Sequence, residues 1–325
     1  MLRGVVFKLI PQGDDPKTQT FRIEELTAGH RFPMGIARNK QGEIFDTDNQ
    51  GHYNPFNELN HIVPGKRYGF LNAIERKPGF QPDETPPAIA IPHPWTRSVN
   101  GICFLETPAA ERQRLGYDLF GPWEGDLVGC EYDTRRLVRM SLDHVGDVVQ
   151  GAVYPMTYDP GEGADVEKGL LGPISAAVAP DGDLYIGNIR DGGWGGGNNV
   201  GTFTRMRPKA KDLPLGIDEV TVTPEGFRIR FTQPVDPAQG ILTSNYAIAS
   251  YTRESTPAYG GDDKQRRREP IAKVRLSADR MEAEVILEEN RREGFVYEFF
   301  LDDEIGGTGK VMWPKEAHYT LRKLP

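Results

Sequence analysis

The chain has 325 residues, a formal net charge of -8, 37 glycines and 26 prolines. That length accommodates two domains, and the acidic balance excludes a nucleic-acid backbone as partner, because neutralising phosphates needs a basic face. No apolar run approaches the roughly 20 residues of a membrane span, and two cysteines, Cys103 and Cys130, cannot by themselves make a disulfide framework or a zinc site.

From the N-terminus, Met1 to Gly4 runs directly into the apolar alternation of Val5, Phe7 and Leu9, leaving no room for a secretory signal. EIFDTD, from Glu43, reads as a short strand after a turn at Gly42. Leu59, Ile62 and Val63 open the next strand, which ends at Pro64-Gly65. Between them a long polar loop is expected, holding Asp46, Asp48, Asn49, Gln50, His52, Asn54, Asn57 and Glu58. A connection of that length is uncommon unless functional or disordered. Its oxygen-rich side chains suit a hard cation such as calcium, or the hydroxyls of a sugar; a self-capped turn rich in Asp and Asn accounts for the same composition.

One pattern then recurs three times: an apolar strand, a turn with Gly, a second strand, and a polar loop. The copies are MGIARNKQGEIFDTDN from Met34, VNGICFLE from Val99 with EGDLVGCEYD from Glu124, and ISAAVAPDGDLYIGN from Ile174, with Gly42, Gly125 and Gly182 in the same turn. Repeats of roughly 40 to 50 residues made of four strands are propeller blades. VVFKLIPQ, PPAIAIPH, RLVRMSLD, AVYPMTYD and FTRMRPKA supply outer strands, and ERQRLG near Glu111 reads as a turn of helix. Cys103 and Cys130 fall on neighbouring strands of one blade, where either a bridge or two buried free thiols is open. KAKDLPLG, from Lys209, reads as a linker. Beyond Ile217 the chain alternates with period two in strands separated by Pro and charged turns, which predicts a β-sandwich of immunoglobulin-like architecture. The expected fold is therefore all-β: about three propeller blades over residues 1–210 and a sandwich over 211–325.

Several fixed spacings carry a family resemblance. Gly29-His30-Arg31-Phe32-Pro33-Met34-Gly35 is followed by a strand, a loop centred on Gly51, then Glu58-Leu59-Asn60-His61-Ile62, Gly65 and Tyr68-Gly69. This resembles the soluble quinoprotein sugar dehydrogenases, the glucose/sorbosone dehydrogenase-like family of six-bladed β-propellers, in the divergent branch that carries Thr-Asp-Asn-Gln-Gly in the loop and ends in a β-sandwich. Phe231-Thr232-Gln233-Pro234-Val235-Asp236 and Tyr319-Thr320-Leu321 stand in that sandwich's opening and closing positions. The resemblance implies pyrroloquinoline quinone (PQQ) and calcium as cofactors, a sugar or glycan as partner, and a periplasmic or secreted location. It matches Arg31 and Arg136 to the quinone site. Gly51 matches the family's calcium-binding carbonyl, with Asp48 beside it, and Asn57 stands where the family has a carboxylate, which removes one charge. Phe32 replaces the asparagine of the family's Arg-Asn pair.

Propeller topology gathers the loops 46–57, 132–136 and 188–200, with the turns before each first strand, at one end of the channel. That face is expected to collect Arg31, Asp48, Asn49, Trp95, Arg97, Arg135, Arg136, Arg190, Asp191 and Trp194. Arginines there offer paired hydrogen bonds to carboxylates. Asp48, Asn49, Trp95, Arg190 and Trp194 are the candidate sugar contacts. His30, His52, His61, His93 and His144 show no paired metal-ligand spacing, and no serine sits in a nucleophile elbow. The family's general-base histidine belongs to blades that lie before the strand resembled by Gly4 to Lys8. Three readings follow: the C-terminal half of a sugar dehydrogenase-like protein, separated from an N-terminal propeller half and inactive alone; a carbohydrate-binding scaffold without redox chemistry; and a half-propeller completed by homodimerisation.

Overall fold

The computed structural model describes residues 4–157, 169–193 and 197–325. It is almost entirely β. A hairpin comes first, β1 (Val5–Gln12) against β2 (Thr20–Ala28). Three blade-like sheets follow. The first runs β3 (Pro33–Arg38), β4 (Ile44–Asp48), β5 (Asn57–His61) and β6 (Ile89–Ile91) in spatial order. The second comprises β7 (Val99–Phe104), β8 (Leu127–Glu131), β9 (Arg136–Val145) and β10 (Val148–Pro155), with a short helix, α1 (Ala109–Leu115), between its first two strands. The third has β11 (Pro173–Val178), β12 (Leu184–Arg190) and β13 (Val200–Met206), and its outer edge is unpaired among the described residues.

The turn glycines aligned in sequence share one conformation, with φ of +94° at Gly42, +92° at Gly125 and +82° at Gly182, a region that a side chain disfavours. Counting six residues on from each places Asp48, Glu131 and Asn188 at the same point of their blades. Packing between blades follows from the strand period of two. Phe45 and Leu59 of the first blade face Val99, Ile102 and Phe104 of the second, while Val128 and Cys130 face Leu184 and Ile186 of the third. Inner strands approach so closely that a Cβ on Gly35 would lie 2.5 Å from the Asn100 carbonyl oxygen, and one on Gly101 2.5 Å from that of Ile174. Cys103 and Cys130 are both free thiols.

The second half is a sandwich. One sheet holds β14 (Ile217–Val222), β15 (Gly226–Phe231), β19 (Glu282–Leu287) and β18 (Ile271–Leu276) in that order. The other holds β16 (Tyr246–Thr252), β17 (Lys264–Arg268), β20 (Phe295–Leu301) and β21 (Glu316–Leu321). This second sheet does not end at the sandwich. β21 pairs with β10 through Gly151 with Thr320, Ala152 with Tyr319 and Val153 with His318, so one eight-stranded sheet passes from sandwich to blade. Ala152 and Tyr154 accordingly belong to the sandwich core, alongside Phe227, Phe299 and Tyr319. No helix among the described residues is long and apolar enough to cross a membrane.

One sequence expectation changes here. Asp46 and Asp48 belong to β4, and Asn57 and Glu58 to β5, so the polar loop spans only 49–56. These strands carry buried polar side chains because their partners lie inside the protein. His30 places Nδ1 3.0 Å from Asp46 Oδ2, and its Nε2 lies 2.9 Å from the Thr27 hydroxyl.

Candidate functional site

At the loop end of the blades a chain of hydrogen bonds runs across all three. Asp48 ends β4, and its two carboxylate oxygens accept from the backbone amides of Arg31 and Phe32, each at 2.6 Å. Arg31 Nη1 donates to the Asn49 carbonyl at 3.4 Å, and Asn49 Nδ2 donates to the Ser98 hydroxyl at 3.1 Å. In the second blade Glu131 repeats the device of Asp48. Its Oε1 accepts from the amides of Arg97 (2.9 Å) and Ser98 (2.8 Å), and its Oε2 from the Thr134 amide (2.6 Å) and hydroxyl. Tyr132 then donates its hydroxyl to Asp191 Oδ2 at 2.5 Å, reaching the third blade. Arg31, Asp48, Asn49 and Asp191 are thus brought to one end, and Arg190 closes β12 immediately before Asp191.

Trp95 and Arg136 go elsewhere. Trp95 Nε1 donates to Glu316 Oε1 at 2.9 Å and its ring lies 4.6 Å from that of His318, both on β21. The Arg136 guanidinium lies 4.5 Å from the centre of the Trp95 ring and donates to the Trp95 carbonyl, and the residue is 5% exposed. These two side chains fasten the second blade to the sandwich. Trp194 lies outside the described residues.

The calcium donors proposed from sequence are also committed. Asn57 Oδ1 accepts from the Gln50 amide at 3.0 Å and its Nδ2 donates to the Thr96 hydroxyl at 3.0 Å. The Gly51 carbonyl accepts from the amides of Asn54 and Gly260 at 3.2 and 3.1 Å. Calcium requires six to eight oxygens turned inward on one point. Here the oxygens of Asp48, Gly51 and Asn57 already accept from backbone N–H donors, which makes these residues a poor fit to the ion. Among the described residues no group of three His, Cys, Asp or Glu side chains has metal-holding geometry.

The quinone fares similarly. A tricarboxylate needs guanidinium groups facing a shared space, whereas Arg136 is buried behind Trp95. Arg31 is covered by the sandwich loop that follows β16: its guanidinium lies 5.3 Å from the centre of the Tyr259 ring, against which His52 also packs edge-on at 5.7 Å. Arg31 and Arg136 therefore form no clamp for PQQ in this arrangement.

Against known proteins the chain stands apart in sequence: no family model and no curated protein matches it. Among solved structures it is similar to a Thermus thermophilus protein assigned as an oxidoreductase (glucose dehydrogenase), at 21% identity and a TM-score of 0.39, over 56% of this chain and 47% of that one. It is also similar to the PQQ-bound form of aldose sugar dehydrogenase from Streptomyces coelicolor, at 18% identity and a TM-score of 0.38, over 56% of this chain and 45% of that one. The chain spans about half the length of these structures. The likeness is one of fold, distant and partial.

Sequence reasoning missed three residues at this end. Glu131 was discoverable, since the aligned glycines set it opposite Asp48. Ser98 and Tyr259 carried no local signal; Tyr259 arrives from a distant loop in the sandwich, whose Thr256 carbonyl accepts from the Tyr53 amide at 2.8 Å.

Proposed function

We propose that this chain supplies half of a propeller of the quinoprotein sugar dehydrogenase type and carries no dehydrogenase activity by itself. The observation that supports this reading is the fate of the two arginines that the family resemblance assigns to the quinone: each is occupied by the protein's own aromatic side chains and carbonyls. A general base must come within hydrogen-bond reach of the proton it removes. His30, the histidine nearest to Arg31 in sequence, is fully buried between Thr27 and Asp46 and cannot reach a bound sugar. Apolar side chains remain uncovered on both flanks of the half-ring, with Met34 and Ile36 on β3 and Phe203 on β13. Further blades would cover them, and in doing so would bring new side chains to the open end.

The test is reconstitution of the 325-residue chain with pyrroloquinoline quinone and calcium. Aldose-dependent dye reduction is expected to be absent, and titration of the quinone's absorbance is expected to show no saturable change. Robust turnover that Arg136→Ala abolishes would overturn this reading.

A further inference from the structure

A cleft of about 240 Å³ lies between the first blade and the sandwich, beside the 49–56 loop and the sandwich loop that follows β16. Its floor and walls carry Phe56 and Phe295, and four charged side chains reach it: Glu58 and Glu84 from the propeller, Arg253 and Arg322 from the sandwich. Arg253 is accounted for. Its Nε donates to Asp263 at 2.9 Å, and its other nitrogens to the carbonyls of His93 and Pro55 at 2.8 and 3.3 Å.

Arg322 is different. Its Nη1 donates to the Val149 carbonyl at 3.2 Å, its Nε is buried without a hydrogen-bond partner, and no carboxylate pairs with it among the described residues. Glu58, across the cleft, is 5% exposed; its Oε2 meets only the side-chain amides of Asn54 and Asn60, both at 3.5 Å. Burial pushes the Glu58 carboxyl well up, with the charges of Asp48 and Glu84 adding to it, and pushes the Arg322 guanidinium down. A buried charge without a partner is costly. Here a carboxyl that burial biases toward its neutral form and a guanidinium face a shared cleft without meeting each other, and a cation placed beside the carboxyl would favour its ionised form.

We infer that this cleft binds a small zwitterion with an apolar side chain, of the α-amino acid class, with the ligand carboxylate at Arg322, its ammonium at Glu58 and Glu84, and its side chain against Phe56 and Phe295. An anion alone would leave the Glu58 carboxyl without a partner. A cation alone would leave Arg322 without one. The mostly apolar wall, with a few convergent polar groups, is the usual make-up of a small-molecule site.

Calorimetric titration of the full chain with three probes tests this: L-leucine, 3-methylbutylamine, which lacks the carboxylate, and 4-methylpentanoate, which lacks the amine. Leucine is expected to bind saturably, and each analogue roughly tenfold more weakly or worse, since each loses a charged hydrogen-bonded group. In Arg322→Gln the advantage of leucine over 3-methylbutylamine is expected to vanish, and in Glu84→Gln its advantage over 4-methylpentanoate to shrink. The three-probe comparison on the wild type needs no folded variant. Absence of leucine binding, or equal binding of either analogue, would overturn the site.

Discussion

Asp48 and Glu131 do the same mechanical job at equivalent positions, yet their energetics differ. Each fixes the turn that begins its blade by accepting from two consecutive backbone amides. Glu131 also takes the Thr134 amide and hydroxyl, so its removal leaves more donors unpaired. Because Arg97 is exposed and Ser98 and Thr134 are half-buried, water replaces part of what these donors lose. Glu131→Ala is expected to cost about 2–5 kcal/mol in urea unfolding at neutral pH, less than roughly 1–3 kcal/mol for each donor would sum to if all were fully buried. For Asp48, burial raises the pKa from 3.8 to about 6, the amides of Phe32 and Arg31 pull it down, and the neighbouring Asp46 charge adds to the rise. A folded pKa above the unfolded one means that the native state holds the proton more tightly. The contribution of Asp48 is therefore largest below pH 3.8 and declines as the pH rises through 6. The penalty for Asp48→Ala should shrink over that window; a penalty that grows with pH would contradict the assignment.

At the scale of strands, the contact of β21 with the second blade turns on a histidine whose ring has no hydrogen bond among the described residues. Both ring nitrogens of His318 are buried without partners, and burial, then the charges of Arg136, Arg266 and Arg253, lowers its pKa from 6.5 to about 3. The unfolded chain takes up a proton that the native state refuses. Its stabilising contribution is thus complete above pH 6.5 and is lost as the pH falls toward 3. His318→Phe removes that linkage while keeping a ring against Trp95. Relative to wild type, the variant should gain roughly 3 kcal/mol between about pH 7 and pH 4, read from paired denaturation curves. Identical pH dependence of the two proteins would refute it. This joint also shows where sequence reading stops. The blade strands were legible because apolar alternation and turn glycines act over a few residues. That Trp95 bonds a residue 221 positions away was not, and an aromatic near an arginine reads as a ligand platform until its neighbours are known.

At the scale of the molecule, the sequence marks a change of composition near Lys209, whereas the hydrogen bonding crosses it. β10 and β21 make a single sheet, and Arg139 is a second tie: 1% exposed, it pairs with Asp126 and donates to the carbonyls of Ile217 and Asp218 at 3.1 and 2.6 Å. Its guanidinium stacks between Trp123 and Tyr154, at 4.9 and 4.3 Å from the ring centres. Burial outweighs Arg139 at Asp126 and raises that carboxyl to about 7. The wild type is therefore expected to unfold in one calorimetric transition, because propeller and sandwich share a core. Arg139→Ala strands Asp126 and frees two carbonyls, which should cost about 3–5 kcal/mol, as for other broken buried pairs. Arg139→Met fills the volume but not the hydrogen bonds, and is expected to fall between the two. Two well-separated transitions in the wild type, with Arg139→Ala shifting only the first, would show instead that the blades and the sandwich fold as independent units.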